Sequence, residues 1–286
     1  MELTVCNKRI SLTVSDFGAE MTSLKLDGFE FLWKADPAYF GRVSPILFPI
    51  TGRFMDGFYT HNGKKYELKL NGLAQDSIFE LKKTADNEIS CHLRANEETL
   101  KVYPFDFELT VKYTLKDQTV DVSFEVINHS DEDMPYSVGN HTAFRWPLID
   151  GEAPESYFLR FSEEENLRSF NPFGWTADFL CGERIRPIYH DYYAKGTRSI
   201  KDAKSEWIEY TGATCDYVAR TYRKQLPFVA NWASPDPEAK LVCVEPTLSI
   251  SSHGPTMFDR EGIHRLAPGA SEITSYQLEV YKKSER

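Results

Sequence analysis

The chain has 286 residues, 41% of them hydrophobic and 27% charged, a composition that predicts a globular protein and argues against intrinsic disorder. The 33 basic and 43 acidic residues leave a net charge of -10. Because such a charge repels phosphate backbones and anionic lipid headgroups, we expect neither nucleic-acid nor membrane partners.

The first predicted elements are short antiparallel strands. Residues 2–33 contain strand-like runs of alternating side chains, separated by Gly18 and by a turn at Asp27-Gly28. A similar pair surrounds Asn62-Gly63 within residues 58–70, and another candidate strand covers residues 88–94. These turn residues predict that neighbouring strands pair as hairpins.

The clearest alternation lies in residues 107–115, followed by a partner strand over residues 119–127. Further candidate strands cover residues 157–161, 206–210, 228–232, 241–245 and 273–281. The run Glu163-Glu164-Glu165 is predicted to be a solvated loop. Because helix-period patterns are almost absent, we expect an all-β fold, a large antiparallel β-sandwich in which residues 1–286 form a single domain.

The cysteines and the hydropathy pattern bear on the cellular compartment. The five cysteines, at positions 6, 91, 181, 215 and 243, include no CxxC pair, which favours free buried thiols over disulfides or a zinc site. No apolar run approaches the ~18 residues of a membrane span, and the first residues lead directly into strand-like sequence without a basic segment. We therefore expect a cytoplasmic protein.

Two segments contain residues suited to binding or protonating a sugar. In SPILFPITGRF (44–54), Arg53 offers a planar fork of donors that suits sugar oxygens. In YSVGNHTAFRWPL (136–148), His141 precedes Phe144 and Trp146, and we expect these rings, together with Trp33, to line a carbohydrate pocket. Taken alone, an arginine is more often a surface residue and a histidine more often a satisfied structural one.

A third segment offers a carboxylate for proton transfer. In LVCVEPTLSISS (241–252), Glu245 ends an apolar run, and Pro246 is expected to disrupt the strand there. Partial burial would tune the pKa of this carboxyl group for acid–base chemistry. The structural alternative is an exposed glutamate at a strand end.

Together, four ordered segments resemble the aldose 1-epimerase (galactose mutarotase) family, and within it the LacX-like bacterial branch. They are FLWKADPAYFGRVSPILFPITGRF at 31–54, NGLAQDSIFE at 71–80, VGNHTAFRWPL at 138–148 and VCVEPTLSIS at 242–251. The resemblance implies a galactose mutarotase-like β supersandwich with an open groove for a free hexose. It also implies that no metal or other cofactor is needed.

By position, the resemblance implies that His141 is the general acid, that Glu245 is the general base, and that Arg53 and Asp191 bind the sugar. Anomer interconversion removes the proton of the anomeric hydroxyl and protonates the ring oxygen, and each positioned proton-transfer group is typically worth about 10²–10⁴-fold. Since His141 must start protonated, we expect a nearby carboxylate to raise its pKa.

The second segment departs from the family pattern. The family usually reads HGFAR there, whereas this chain has Asn71 and Gln75. An amide at position 71 can still bind a sugar oxygen, but it lacks the electrostatic assistance of a charged imidazole. The sequence therefore predicts weak activity on plain galactose and an increase in the Asn71→His variant.

The leading interpretation is an isomerase, a mutarotase acting on an aldohexose or a derivative. One alternative is a non-catalytic sugar-binding or sensing protein on the same fold. Another is a hexose-6-phosphate mutarotase, which would need a basic cluster, for which Arg42, Arg145, Arg220 and Arg223 are candidates. Glycoside hydrolysis would use two carboxylates rather than a His–Glu pair.

Overall fold

The computed structural model describes residues 1–171, 173–174, 176–251 and 254–286. The chain begins with a four-stranded antiparallel sheet in the order β1-β2-β3-β4. Its strands are β1 (Glu2–Cys6), β2 (Ile10–Ser15), β3 (Met21–Leu26) and β4 (Phe29–Glu30). Side chains of β2 alternate between the core and the partly exposed face, which confirms the predicted period-two pattern.

The next elements are short. They are β5 (Ile46–Leu47), β6 (Phe58–His61), β7 (Lys64–Glu67), β8 (Glu80–Ala85), β9 (Glu88–Arg94) and the helix α1 (Glu97–Val102). Asn62 and Gly63, both with positive φ, join β6 to β7 as a hairpin, as the sequence predicts. Helix α1 is short and begins at the Asn96 cap, whose side chain accepts the amides of Glu98 and Thr99.

The predicted long hairpin is confirmed as β10 (Phe107–Lys116) and β11 (Thr119–Asn128). Every second side chain of both strands is buried. Strand β9 extends the sheet on one side of the hairpin and the C-terminal strand pairs with β11 on the other. This hairpin therefore contributes much of the apolar core.

The remaining strands build the other half of the large sheet and one small ribbon. They are β12 (Met134–Tyr136), β13 (Gly139–Asn140), β14 (Thr142–Arg145), β15 (Tyr157–Phe170), β16 (Thr176–Pro187), β17 (Arg198–Ile200), β18 (Trp207–Gly212), β19 (Tyr217–Tyr222), β20 (Phe228–Ala233), β21 (Leu241–Thr247), β22 (His264–Leu266) and β23 (Ser271–Lys282). Short 3-10 helices cover Ala74–Asp76, Pro154–Ser156, His190–Tyr193, Met257–Asp259 and Lys283–Glu285.

The large sheet has the order β5-β13-β21-β20-β17-β15-β18-β19-β23-β11-β10-β9-β8, with β14 added to β21 and β16 to β15. Its strand pairs are antiparallel. The fold is thus the predicted all-β structure of large antiparallel sheets. One extended cluster of buried apolar side chains lines the sheets, from Val5 near the N-terminus to Val280 near the C-terminus.

The prediction of a loop at residues 163–165 is wrong. These residues lie inside β15, which continues to Phe170 and pairs with β16. Glu163 and Glu164 are exposed, but Glu165 is buried and its Oε1 accepts the amide of Ser205 at 2.7 Å. The charged run fits in a strand because the buried carboxylate has a backbone donor.

The expectation that all the cysteines are buried is wrong for two of them. Cys6 and Cys181 are exposed, whereas Cys91, Cys215 and Cys243 are buried free thiols.

Among the described residues, no helix is both long and apolar enough to cross a membrane.

Candidate active site

Antiparallel pairing brings His141 and Glu245 together. The register that pairs Gly139 with Thr247 and Thr142 with Val244 places His141, between β13 and β14, opposite Glu245 on β21. Directly opposed residues on one sheet face have neighbouring side chains. The His141 Nε2 and Glu245 Oε1 atoms are 3.5 Å apart.

The strand containing Glu245 is longer than predicted. Strand β21 continues through Pro246 to Thr247 rather than ending at Glu245, and Pro246 pairs with Val229 of β20. Proline has no backbone N–H and therefore cannot donate a hydrogen bond to a neighbouring strand. In β21 this missing donor lies beside the break between β13 and β14. The interruption is therefore local, and Glu245 is held inside a central strand.

Both groups line a cavity of about 470 Å³. The imidazole of His141 stacks on the Phe40 ring, with 4.8 Å between ring centroids, and Trp232 meets it edge-on at 6.2 Å. The backbone amide of His141 donates to the Pro45 carbonyl at 3.0 Å. The ring is therefore held in place by aromatic packing and by its backbone.

Burial sets the protonation of the pair. It raises the pKa of Glu245 to about 8 and lowers the pKa of His141 to about 4, because a poorly hydrated site disfavours both charged forms. The expectation that a nearby carboxylate raises the pKa of His141 is therefore wrong: burial outweighs the attraction of a carboxyl group that is itself neutral. Between these pKa values the pair binds one proton, and in this geometry the proton resides on Glu245.

Neither group is engaged elsewhere in the part of the chain that the structure describes. His141 Nδ1 and Glu245 Oε1 are buried without hydrogen-bond partners there. Buried polar atoms are normally paired, so two unpaired ones on adjacent residues of one cavity wall are unusual. An imidazole and a carboxyl group that jointly bind one proton can act together as an acid and a base.

A thiol lies close to the pair. The ligand atoms of His141, Cys243 and Glu245 all lie within 4.8 Å of one another, which is a donor set able to approach a metal ion. Burial raises the pKa of Cys243 well above its usual range, so this thiol is protonated and a cation would first have to displace that proton. The set is better described as an acid–base pair packed on a neutral thiol.

The structure places Arg53 and Asn71 in the wall of the same cavity. Arg53 is exposed and lines the cavity, so its guanidinium donors are accessible to a ligand. The Asn71 side chain accepts the Gly52 amide at 2.8 Å, and the Asn71 amide donates to the Gly52 carbonyl at 2.7 Å. Asn71 thus holds the turn that presents Arg53, and its side-chain NH2 group is the part left for a ligand.

The structure does not bring Asp191 into this cavity. Asp191 is exposed in the short 3-10 helix His190–Tyr193 and is absent from the described residues that line the cavity. The neighbouring His190 is not among those lining residues either, and its Nδ1 meets the Ser234 carbonyl at 2.9 Å.

The aromatic residues expected around His141 are the wrong ones. Phe144 and Trp146 are buried in the main core, because residues three and five positions from His141 point to the opposite face of a strand with a period of two. Trp33 lies behind the cavity and donates its indole N–H to the Phe40 carbonyl at 2.9 Å. The rings that line the cavity include Tyr39, Phe40 and Trp232.

Sequence reasoning missed Phe40 and Trp232 for different reasons. Phe40 lies within the first family-like segment, but no local pattern separates its ring from the other aromatic rings there. Trp232 pairs with Cys243, so its position is set by strand pairing between distant segments. The sequence places Trp232 in the candidate strand at residues 228–232, on the same face as Ala230, but only the pairing of Ala230 with Glu245 brings that face to the cavity.

Among the described residues, no basic cluster of the kind required by a phosphorylated substrate lines the cavity. Arg42 pairs with Glu20, Arg145 with Asp150, and Arg220 with Glu209 and Glu279. Arg223 donates to backbone carbonyls, among them that of Pro227. Among the described residues that line the cavity, Arg53 is the only arginine or lysine.

The fold and this site define an all-β protein with a buried histidine–glutamate pair in a cavity wall, and comparison with known proteins gives the family. The family model described as aldose 1-epimerase matches residues 1–203. This chain therefore belongs to the aldose 1-epimerase family, in its LacX-like branch. The plasmid-borne protein LacX of Lactococcus lactis subsp. lactis is 26% identical over 98% of this chain and 99% of its own length.

Two solved structures are similar over nearly the whole chain. A galactose mutarotase related enzyme from Lactobacillus acidophilus is 28% identical, with a TM-score of 0.91, covering 98% of this chain and 97% of its own. A galactose mutarotase-like protein from Lactobacillus casei is 25% identical, with a TM-score of 0.90, covering 98% of this chain and all of its own. These similarities support a sugar epimerase or mutarotase, an isomerase-type enzyme whose substrate is a small sugar.

Proposed function

We propose that this protein is a mutarotase that interconverts the α and β anomers of an unphosphorylated aldohexose or a derivative of it. The observation that carries the proposal is the His141–Glu245 pair, 3.5 Å apart in a cavity wall and without other hydrogen-bond partners among the described residues. A binding module has no need for an acid and a base side by side, whereas anomer exchange needs both.

The chemistry requires one proton on the pair. When the proton passes from Glu245 to His141 across their 3.5 Å contact, the pair becomes a carboxylate and an imidazolium. Glu245 then takes the proton of the anomeric hydroxyl while His141 protonates the ring oxygen, and the C1–O5 bond breaks to give the open-chain aldehyde. After rotation about the C1–C2 bond, His141 recovers its proton and Glu245 returns the other to the carbonyl oxygen as the ring closes.

Sugar hydroxyls favour the charged form of the pair. The Glu245 carboxyl group accepts no hydrogen bond from the described residues, and donors that reach a carboxylate lower its pKa. A bound sugar supplies such donors. It thereby moves the proton towards His141, which is the arrangement that starts ring opening.

Polarimetry on freshly dissolved α-galactose and α-glucose tests the proposal. The protein is expected to accelerate the approach to the equilibrium rotation in proportion to its concentration. Binding of either sugar without acceleration would instead favour the non-catalytic sugar-binding alternative. Glucose 6-phosphate serves as the comparison substrate, and because Arg53 is the only arginine or lysine among the described lining residues, it is expected to react more slowly than glucose.

Removal of the Arg53 guanidinium should weaken sugar binding. Arg53→Met is expected to raise KM for the preferred sugar by about tenfold with kcat within about threefold of wild type, because a hydrogen bond from a charged donor is worth about 1.5–3 kcal/mol. Steady-state polarimetry measures both constants. Arg94→Met is the matched control, since Arg94 is on β9 and pairs with Glu108; equal effects of the two variants would remove Arg53 from the binding site.

For Asn71→His we now expect a loss of activity, the opposite of the prediction from the sequence. The Asn71 oxygen already holds Gly52, and Asn71 has a φ of 64°, a conformation that asparagine tolerates well. Loss of this acceptor is expected to lower kcat/KM on galactose by about fivefold, the equivalent of one neutral hydrogen bond of ~1 kcal/mol. Asn71→Asp keeps the acceptor and is the control. A rise in galactose turnover for Asn71→His would show that a missing imidazole limits the wild type.

We further propose that residues 1–286 form one domain. A single buried cluster contains side chains from β1 to β23, and the last strand pairs with both β11 and β19 in the middle of the large sheet. The cytoplasmic location stays a prediction from the sequence.

A further inference from the structure

We propose that Arg260 is a positioning residue that holds Arg53 and the adjoining cavity wall in the geometry that binds sugar. Arg260 follows the 3-10 helix Met257–Asp259 and is 3% exposed. The proposal rests on the proposed function only for its effect on catalysis, because its effect on the backbone can be measured without any substrate.

The Arg260 guanidinium binds three backbone carbonyls. Its Nη1 donates to the Arg53 carbonyl at 3.1 Å, and its Nη2 donates to the Thr51 carbonyl at 2.5 Å and to the Ile250 carbonyl at 3.1 Å. All three acceptors belong to residues that line the cavity, whereas Arg260 does not line it. Arg260 therefore acts on the site from behind, through the backbone.

These contacts join two separate pieces of the cavity wall. Residues 51–53 form the turn that carries Arg53, and residues 249–251 follow the end of β21. The two pieces also contact directly: Thr51 Oγ1 and Ser249 Oγ are 3.0 Å apart, and the Arg53 amide donates to Ser251 Oγ at 3.2 Å. Arg260 connects both pieces because its planar fork reaches carbonyls on each of them.

The two pieces of the cavity wall are closely packed at Gly52. Gly52 has a φ of 72°, and a Cβ atom there would lie 1.8 Å from Ser251 Oγ, so the backbone of the turn packs directly against the second piece. A small separation of the two pieces would shift Arg53 relative to His141 and Glu245. Displacements of about 1 Å at a binding group are enough to cost a large factor in catalysis.

The charge of Arg260 is unusual for a purely structural residue. Among the described residues no carboxylate pairs with it; its other contact is the Phe54 ring, 4.7 Å from the guanidinium carbon. Burial lowers its pKa to about 10, so the side chain is still charged at neutral pH. Burial of a cation that is compensated only by carbonyl dipoles and one ring costs free energy. This cost is consistent with a need for donors that reach three carbonyls at once, which a neutral side chain would not provide.

The test compares Arg260→Met and Arg260→Lys with wild type. Amide hydrogen exchange in the absence of sugar is expected to be at least tenfold faster at Gly52 and Arg53 in Arg260→Met, because their amides are bonded to Asn71 and Ser251 across the turn. KM is expected to rise about tenfold with kcat within about threefold. Arg260→Lys keeps the charge but loses the planar fork of donors. Its exchange rates and KM are expected to lie between those of wild type and Arg260→Met, and they test the proposal if Arg260→Met does not fold.

Arg265→Met is the matched control, because Arg265 packs on the Phe258 ring 4.6 Å away at the exposed surface nearby. A double variant then tests whether Arg260 acts through Arg53. If it does, Arg53→Met with Arg260→Met has a KM within about twofold of Arg53→Met alone.

Unchanged exchange at Gly52 and Arg53 in Arg260→Met would overturn the proposal, as would fully additive effects on KM. A fall in melting temperature without any change in KM would also overturn it, because that result describes a structural residue only. If the wild type shows no mutarotation, the proposed function fails, while the exchange experiment still decides whether Arg260 holds the turn.

Discussion

His141→Asn and Glu245→Gln are each expected to lower the rate of mutarotation by at least about 10²-fold, the usual contribution of one positioned proton-transfer group. Neither replacement side chain can exchange a proton with the sugar near neutral pH. Since the two groups share one proton across 3.5 Å, removal of either should disable both, and the double variant is expected to be little slower than the slower single variant.

The fold should survive these substitutions. Glu245 is protonated at neutral pH because burial raises its pKa to about 8, so glutamine replaces a neutral group of nearly the same shape. Circular dichroism and melting temperature check this point. The matched control is His264→Asn, because His264 also pairs with a glutamate, 3.0 Å from Glu272, but lies outside the described lining of the cavity.

Polarimetry of the wild type and these four variants on one sugar tests the prediction. Near-wild-type rates in His141→Asn or Glu245→Gln would remove that residue from the mechanism. An equal loss of activity in His264→Asn would show that the effect is not specific to the cavity.

The second large effect is expected in the pH dependence of kcat/KM. The pKa of His141 is about 4 and that of Glu245 about 8, so the pair binds one proton between these limits. Below pH 4 both groups are protonated and no base is left; above pH 8 both are deprotonated and no acid is left. The profile should be bell-shaped and fall about tenfold per pH unit beyond each limit, to about 10²-fold below the plateau at pH 10.

The Glu245→Gln variant identifies the origin of the alkaline limb. Its residual activity is expected to show no decline near pH 8, because this variant lacks the Glu245 carboxyl group, whose deprotonation removes the last proton from the pair. The spontaneous reaction of the sugar is measured at each pH and subtracted. A wild-type profile that is flat from pH 6 to pH 10 would contradict the one-proton pair, and an alkaline limb that persists in Glu245→Gln would assign it to another group.

His141 lies in a segment that resembles a family motif, and that resemblance pointed to the residue without any knowledge of its surroundings. The same segment misled the search for aromatic neighbours, because Phe144 and Trp146 are close in sequence but lie on the opposite strand face in the main core. The ring that stacks on His141 belongs to Phe40, about a hundred residues earlier.

Asn71 and Asp191 show the limits of assigning a residue's role from its position in a family-like sequence. Asn71 was expected to replace a sugar-binding histidine, yet its side-chain oxygen holds the Gly52 amide, and only its amide donors are left for a ligand. Asp191 was expected in the groove but lies in an exposed 3-10 helix. Arg260 had no motif to mark it, because its role depends on three carbonyls that are distant in sequence.

The sequence by itself determined the strand pattern, the hairpin turns at Asp27-Gly28 and Asn62-Gly63, and the family membership of the segments that contain Arg53, His141 and Glu245. These are local properties: alternation sets which faces of a strand are apolar, and turn residues set where the chain reverses. Only the tertiary structure decided that residues 104 positions apart in the sequence stand opposite each other. It also decided which rings cover them and how burial shifts their pKa values, because strand pairing over long separations and the desolvation of a group depend on everything packed around it.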